Sequence, residues 1–347
     1  MSKRRVSSNI STFFFLAVKN RIQTLDFLRG FSIFAMTVFH QSLVFSGKGV
    51  SDNPVISSIV IYFGYIAAPF FIAVSGMSLH FFEKKYTYPV KIVVHGLVLF
   101  SFATMLDIIF HRSWSIDWDI FQVIGMSISI FGLLDLINGR IRTVVLAIVV
   151  AFMSLNPSLQ PLATTGVFPV WPYAFYFIAG FFISYHGTST HSRTWINILL
   201  SVMCVSYIGY YISLHTLPSR QLLEGIIFLL AQVFLLLMAG LFVEHRITLA
   251  NPYWNFFTRY GKYSLSLYFF QQFFVRQGSA LLPAENFLVR LIILLLIMFA
   301  VTFLFDRFPY LDASWWLRKV ESTILRLRPI SKLSTLKARL SGVKGEI

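Results

Sequence analysis

The chain has 347 residues, of which 56% are hydrophobic and only 12% are charged. Soluble globular domains have roughly 45–50% apolar and about 25% charged residues, so this chain lacks the charge that would cover a water-facing surface of its size. Its net charge of +15 also occurs in nucleic-acid binders, but the long apolar runs exclude a soluble protein of that class. We therefore predict an all-α polytopic membrane bundle with basic residues at the membrane faces and no nucleic acid among its partners.

Apolar runs separated by polar segments predict ten membrane spans, because a helix that crosses a bilayer needs about 20 residues. In chain order the predicted spans cover residues 25–46, 55–81, 90–111, 119–137, 141–156, 168–186, 195–214, 221–243, 261–277 and 287–308. Most of the 29 Lys and Arg residues fall on one side of the membrane if the N-terminus is inside. The positive-inside rule then predicts that both termini are cytoplasmic.

The chain divides into three predicted parts. Residues 1–24 form a basic cytoplasmic segment with the pattern of a signal anchor, since no small-residue cleavage site follows it. Residues 25–309 form the transmembrane domain, and residues 310–347 form a basic amphipathic cytoplasmic tail. Within that tail, the pattern of Trp315–Arg328 is typical of a helix that lies on anionic headgroups; a solvated tail is the equally weighted alternative.

The first predicted span carries ionisable residues that are costly in lipid. Asp26 and Arg29 are three residues apart and can pair, while His40 follows Arg29 by eleven residues. Eleven residues return to within about 20° of the same helix face and rise roughly 16 Å. Arg29 can also be read as a snorkelling anchor, and His40 as a packing residue bonded across the bundle. Because both lie on one face with an acid beside the arginine, we favour a functional role.

A second polar group is predicted at the outer edge of the bundle. Asp107 and His111 are four residues apart at the end of the third span, and Asp119 and Gln122 begin the fourth. Asp107 is a candidate to orient a catalytic histidine, whereas a polar rim facing water is the simpler interpretation. No ligand spacing supports a metal site.

Basic residues predict a phosphate-binding mouth on the cytoplasmic side. Arg259 and Lys262 flank Gly261 before the ninth span, and Lys84 and Lys85 follow the second. Ordinary positive-inside topology explains the same charges. Further along the ninth span, Gln271 is uncharged but still needs a partner in a membrane.

Several stretches resemble known membrane acyltransferases. The opening helix, with an arginine, ten residues and then a histidine, is similar to that of the R-x10-H membrane acyltransferases. The remaining matches resemble the heparan-α-glucosaminide N-acetyltransferase-like branch: they are Tyr65–Phe71 with Ser75-Gly76, Asp119–Gly125, Pro169–Gly180 and Gly261–Tyr268. The resemblance covers roughly residues 20–305, and its most specific part is the first helix.

The resemblance implies a multi-pass enzyme of the cell membrane that takes acetyl groups from cytoplasmic acetyl-CoA, its co-substrate. The acceptor would be a hydroxyl or amine of a sugar, glycan or lipid-linked sugar at the opposite face. The family histidine would be His40 and the family arginine Arg29. Related proteins often have a histidine where this chain has Gln271 or Gln272, which puts a second histidine role in doubt.

The candidate residues fall into three predicted roles. The catalytic candidates are His40 and Asp107; the donor-binding candidates are Asp26, Arg29, Lys84, Lys85, Arg259 and Lys262; the acceptor-binding candidates are His111, Asp119, Gln122 and Gln271. His40 would act as a general base or be acylated transiently. The alternatives are a secondary transporter with Asp26, Arg29 and His40 as a relay, and a scaffold whose buried charges merely pair. Membrane lipid is an expected partner, and association into a homo-oligomer is left open.

Overall fold

The computed structural model describes residues 23–44, 54–85, 89–111, 119–134, 174, 176–178, 180–181, 252–281 and 287–326. Within these ranges the regular structure is entirely helical. The main helices are α1 (Gln23–Val44), α2 (Pro54–Lys85), α3 (Pro89–His111), α4 (Ile120–Leu134), α5 (Pro252–Lys262), α6 (Ser264–Leu281), α7 (Phe287–Arg307) and α8 (Ala313–Leu325). A short 3₁₀ turn, Pro309–Leu311, joins α7 to α8.

The first helix, α1, lies at the centre of the described bundle. It packs against α2, α5, α6 and α7. Its buried residues do not form one stripe: Leu25, Ile33, Ala35, Thr37 and Gln41 point in different directions and are all below 5% exposed. A helix buried on all sides is the expected position for a segment that carries a site.

Glycines let neighbouring helices approach closely. A Cβ at Gly261 would lie 1.6 Å from the Asp26 carbonyl oxygen, and one at Gly30 would lie 1.8 Å from that of Phe257. Helices α1 and α5 are therefore in backbone contact, and the pairing of early with late residues makes them antiparallel. The small-residue contact follows the general rule for helix packing in membranes.

The chain reverses direction between α5 and α6. Helix α5 runs antiparallel to α1 as far as the level of Asp26, and Tyr263 then ends the helix. Helix α6 returns alongside α1, since Gln271 contacts Thr37. No span is predicted between residues 243 and 261, but from Pro252 onward this segment forms helix α5. The helix is held on α1 because Phe257 packs at Gly30 and against the rings of Phe27, Phe31 and Phe34.

Two described helices are long and apolar enough to cross a bilayer, namely Pro89–Ile109 and Phe287–Arg307. Ala67–Leu79 and Ile120–Leu134 are shorter apolar segments. Along α7, Leu288, Ile292 and Leu296 repeat every four residues and are each more than half exposed. An exposed apolar stripe of this kind requires a covering, and lipid is the solvent that supplies it without a partner.

The tail helix α8 packs on the bundle. Asp312 accepts hydrogen bonds from the Ser266 hydroxyl at 2.6 Å and from the Ser314 backbone at 3.2 Å. Farther along, the buried Glu321 bonds the His95 ring at 2.9 Å. One face of the helix predicted over Trp315–Arg328 is thus held against α3 and α6, while Trp316 and Val320 stay exposed.

The described helices agree with six of the predicted spans. Helices α1 to α4, α6 and α7 begin within three residues of the predicted starts, because long apolar runs are the least ambiguous sequence signal. The predicted spans 141–156, 195–214 and 221–243, most of 168–186 and the segment before residue 23 lie outside the described residues. The total of ten spans and the cytoplasmic position of both termini remain predictions.

Candidate functional site

The N-terminal part of α1 holds the predicted Asp26–Arg29 pair. An Arg29 guanidinium nitrogen lies 3.4 Å from the Asp26 carboxylate, one helical turn away. Asp26 is buried, whereas a quarter of the Arg29 side chain is exposed. The arginine is therefore held at a guanidinium nitrogen, and its side chain stays partly exposed.

Two further predicted donor-binding cations lie at the same end of α1. Gly261 contacts the Asp26 backbone, which brings α5 with Arg259 and Lys262 to this level. Both cations pair with Asp306 of α7, Lys262 at 2.6 Å. Arg259 also donates to Thr302 at 2.8 Å and stacks over Phe303 at 3.7 Å. Sequence reasoning did not assign Asp306, whose carboxylate offsets part of this positive charge.

Arg259 and Lys262 occupy the last turn of α5 rather than a loop before the ninth span. Gly261 between them serves the α1–α5 contact. The two cations predicted to bind phosphate thus lie where α5 ends and α6 begins. Lys84 and Lys85 end α2, and their side chains lie outside the described residues.

His40 lies on the same continuous helix as Arg29, roughly 16 Å farther along its axis. Its Nδ1 atom is buried and has no hydrogen-bond partner in the described part of the chain. No hydrogen bond joins it to Asp107 among the residues described. The predicted orienting carboxylate therefore does not hold the ring through Nδ1.

Uncharged polar residues surround the His40 segment. Thr37, one turn below His40, bonds the Gln271 side chain of α6 at 2.5 Å and contacts the Met298 sulfur at 3.9 Å. Gln41, one turn above Thr37, is fully buried, and neither atom of its amide has a partner among the described residues. Gln271 is among the predicted site residues. Thr37 and Gln41 are not, because an uncharged polar residue costs less free energy in a membrane helix than a charged one and so does not stand out in a sequence.

The outer-edge group is assembled around Tyr268 of α6. The Tyr268 hydroxyl donates to the Asp119 carboxylate, and the Gln272 side chain bonds the same hydroxyl. Asp107 is buried near enough to act electrostatically on Tyr268. Sequence reasoning gave Tyr268 no role, since only the packing of α6 against α3 and α4 brings it to the two acids.

The Gln122 side chain reaches back to Asp119 at the start of α4, as in one half of a capping box. Its oxygen accepts the Asp119 backbone N–H at 2.7 Å, and the Asp119 carboxylate accepts the Ile120 N–H at 2.6 Å. The Gln122 amide nitrogen donates to Thr104 of α3 at 3.2 Å. Both predicted acceptor-binding residues are thus held in place. The His111 side chain lies outside the described residues.

Helix α6 joins the two groups. Tyr268 and Gln271 are three residues apart and therefore neighbours on its surface, one facing Asp119 and the other facing Thr37. Among the described residues, no cluster of His, Cys, Asp or Glu could hold a metal ion. The arrangement offers a histidine, buried amide groups and a tyrosine–carboxylate pair, which are groups that bind hydroxyls, move protons and polarise carbonyls.

The sequence model for the catalytic region of heparan-alpha-glucosaminide N-acetyltransferase matches residues 21–193, about half of the chain. The chain belongs to this family. Its members are acetyl-CoA-dependent N-acetyltransferases of membranes, and this chain is accordingly a membrane acyltransferase. No curated protein and no solved structure matches the chain.

The match to the N-acetyltransferase family covers the N-terminal part of the candidate site. Asp26, Arg29, His40, Asp107, Asp119 and Gln122 lie inside it. Arg259, Lys262, Tyr268 and Gln271 lie outside it and join the site through the packing of α5 and α6.

Proposed function

We propose that the protein transfers an acetyl group from cytoplasmic acetyl-CoA to a hydroxyl or amine of a glycan or lipid-linked sugar at the opposite face of the cell membrane. Family membership supplies the reaction class. The proposal adds the direction, the acceptor class and the residues that carry the transfer.

The observation that carries the proposal is the separation of the cations from the histidine along α1. Arg29 lies at the end of α1 near Arg259 and Lys262, and His40 lies roughly 16 Å farther along the same helix. Coenzyme A is built in the same way, with phosphates at one end and a thioester at the end of a long, thin arm. Guanidinium and ammonium groups suit the phosphates, and the arm would bring the thioester toward His40.

His40 would act on the acceptor in one of two ways. As a general base it takes the proton from the acceptor hydroxyl or amine while the new C–O or C–N bond forms and the C–S bond breaks. As a nucleophile its ring nitrogen first takes the acetyl group and then passes it on. In both cases coenzyme A leaves as a thiolate, which takes up a proton to give the thiol.

The acceptor would bind at the outer-edge group. Asp119 and Gln122, with Asp107 and His111, supply donors and acceptors of the kind that bind sugar hydroxyls, whereas Gln271 bonds Thr37 nearer to His40. Asp107 would act through the Tyr268–Asp119 pair, because it does not hydrogen-bond His40 in the described structure. Tyr268 would keep Asp119 oriented while the acceptor enters.

His40→Gln tests the central assignment. In lipid nanodiscs with acetyl-CoA and a panel of amino sugars and neutral sugars, we expect acetyl transfer to fall at least about 100-fold, while acetyl-CoA binding is kept. His95→Gln is the matched control, because that histidine bonds Glu321 at the α3–α8 contact. Unchanged transfer by folded His40→Gln would refute the role of His40.

Exchange of labelled coenzyme A into acetyl-CoA without any acceptor separates the two mechanisms. An acetyl-histidine intermediate permits this exchange, whereas direct transfer does not. If the wild-type protein bound acetyl-CoA but acetylated no sugar in the panel, the proposed acceptor class would be wrong.

A further inference from the structure

Two buried amide side chains near His40 have polar atoms that nothing in the described structure satisfies. Gln41 and Gln271 are both fully buried. Both amide atoms of Gln41 and the amide nitrogen of Gln271 lack a hydrogen-bond partner among the described residues. Buried polar groups in native proteins are nearly always bonded, so each such atom calls for an explanation.

The orientation of the Gln271 amide follows from its contact with Thr37. The Thr37 hydroxyl lies 2.5 Å from the Gln271 oxygen and 2.8 Å from the Ile33 carbonyl oxygen. A hydroxyl has one proton to give. The Gln271 oxygen is the nearer of the two acceptors, so the proton is assigned to the contact with Gln271. The Gln271 N–H₂ group is then left to donate elsewhere.

The two amides lie within one helical turn of His40. On α1, His40 and Gln41 follow Thr37 by three and four residues, so both lie one helical turn beyond Thr37 and on either side of it. Gln271 of α6 bonds Thr37 and thereby reaches this part of α1. A group held by the Gln271 and Gln41 amides would therefore lie at the level of His40 along α1.

We propose that Gln271 and Gln41 donate the hydrogen bonds that stabilise the oxyanion during acetyl transfer, and that Thr37 is a positioning residue that orients Gln271. The inference rests on the proposed function, because it assigns these amides to the thioester carbonyl of acetyl-CoA. Donors that are fixed and buried before reaction are the most effective kind, since they need no rearrangement when charge develops.

The step balances within these groups. The acceptor nitrogen or oxygen forms a bond to the thioester carbon, and His40 takes its proton. The carbonyl π electrons move to oxygen, where the Gln271 and Gln41 N–H groups meet the negative charge. The carbonyl then re-forms, the C–S bond breaks, and the coenzyme A thiolate takes a proton.

Gln271→Met and Gln41→Met, each assayed in nanodiscs, test the assignment. Both variants keep the length of the side chain and remove the donor. We expect kcat to fall by about 100-fold for each, while the Kd for acetyl-CoA changes less than threefold and Tm is kept or raised, because an unsatisfied amide is removed. Gln23→Met is the matched control: the same change on an exposed residue of the same helix leaves kcat unaltered.

A second readout does not depend on turnover. Hydrogen bonds to a carbonyl oxygen lower its infrared stretching frequency, so [1-¹³C]acetyl-CoA bound to the wild-type protein should absorb at lower frequency than in buffer. Gln271→Met should remove most of this shift. Thr37→Val should reduce both the shift and kcat, and Thr37→Ser should restore them.

The outcomes separate this inference from the proposed function. Wild-type transfer that His40→Gln abolishes, combined with unchanged kcat and an unchanged infrared band in both amide variants, would overturn the oxyanion assignment alone. A wild-type protein that binds acetyl-CoA without any shift of the carbonyl band would do the same. Absence of acetyl transfer by the wild-type protein would instead refute the function on which the inference rests.

Discussion

At the scale of single residues, the protein tolerates an arginine in its first helix because the side chain is partly neutralised and partly exposed. A charged residue at the centre of a membrane helix costs roughly 2.5–3.5 kcal/mol on insertion scales. Asp26 lies 3.4 Å from Arg29, and a quarter of the arginine side chain is exposed. The pair thus lowers the cost and leaves part of the arginine accessible from outside the bundle.

Arg29→Gln should weaken donor binding more than chemistry. A hydrogen bond to a charged group contributes about 1.5–3 kcal/mol, so we expect the Kd for acetyl-CoA to rise about tenfold or more with little change in kcat. Arg29→Lys should lose less, because it keeps the charge without the planar fork. Isothermal titration in nanodiscs measures the effect, and an unchanged Kd would contradict it.

Removing Arg29 also leaves Asp26 buried without that partner, so stability needs its own control. The double variant Asp26→Asn with Arg29→Gln removes both charges and should recover the Tm lost in the single variant. Its affinity for acetyl-CoA should stay low. Recovery of affinity together with Tm would mean that the arginine acts through folding alone.

The residues that sequence reasoning found are those whose presence in lipid is costly. Arg29 and His40 were recognisable in this way, and helical geometry placed them on one side of α1. Thr37 and Gln41 were missed because uncharged side chains carry no comparable cost. Asp306 was missed for a different reason: it lies 44 positions from Lys262, and only the packing of α5 against α7 brings the two together.

At the scale of elements, apolar length predicted the long apolar helices but not the short helix α5 that supports the site. Helix α5 mixes aromatic and polar residues over eleven positions, too short and too polar to resemble a span. Its position depends on Gly30 and Gly261, which allow backbone contact with α1. A sequence shows the glycines but not the helices that meet there.

Gly261→Ala should separate α5 from α1. The added Cβ would lie 1.6 Å from the Asp26 carbonyl oxygen, and overpacking of this kind costs about 1–3 kcal/mol or more. We expect a lower Tm and weaker acetyl-CoA binding, since Arg259 and Lys262 would shift with α5. Ser101→Ala, on the exposed face of α3, is the control, and a Tm equal to that of the wild-type protein would refute the contact.

The tail helix α8 shows what an amphipathic pattern can and cannot predict. The helix forms as expected, and its N-terminus is capped by Asp312. The pattern did not indicate that its buried face would bind the bundle through Glu321 and His95. The opposite face, where Lys319 lies over the rings of Trp315 and Trp316, keeps the composition of a headgroup-binding surface, and that role stays a prediction.

At the scale of the whole molecule, the direction of catalysis depends on which end of α1 faces the cytoplasm. The cations proposed to bind acetyl-CoA, namely Arg29, Arg259 and Lys262, lie at the N-terminal end of α1. In the proposed reaction acetyl-CoA comes from the cytoplasm. If the N-terminus were outside, Arg29 would face away from the donor. The proposed function therefore requires the orientation that the placement of Lys and Arg predicts.

Cysteine accessibility tests this orientation, because the chain has a single cysteine, Cys204. In a Cys204→Ser background, we expect a membrane-impermeant maleimide to label intact cells carrying Ser51→Cys, which follows the first span. It should leave Ser7→Cys and Ser341→Cys unlabelled until the membrane is opened. Labelling of Ser7→Cys alone, or of both terminal sites, would place the donor mouth outside and refute cytoplasmic acetyl-CoA as its ligand. Labelling of Ser341→Cys alone would mean an odd number of spans, and it would leave the arginine end of α1 inside.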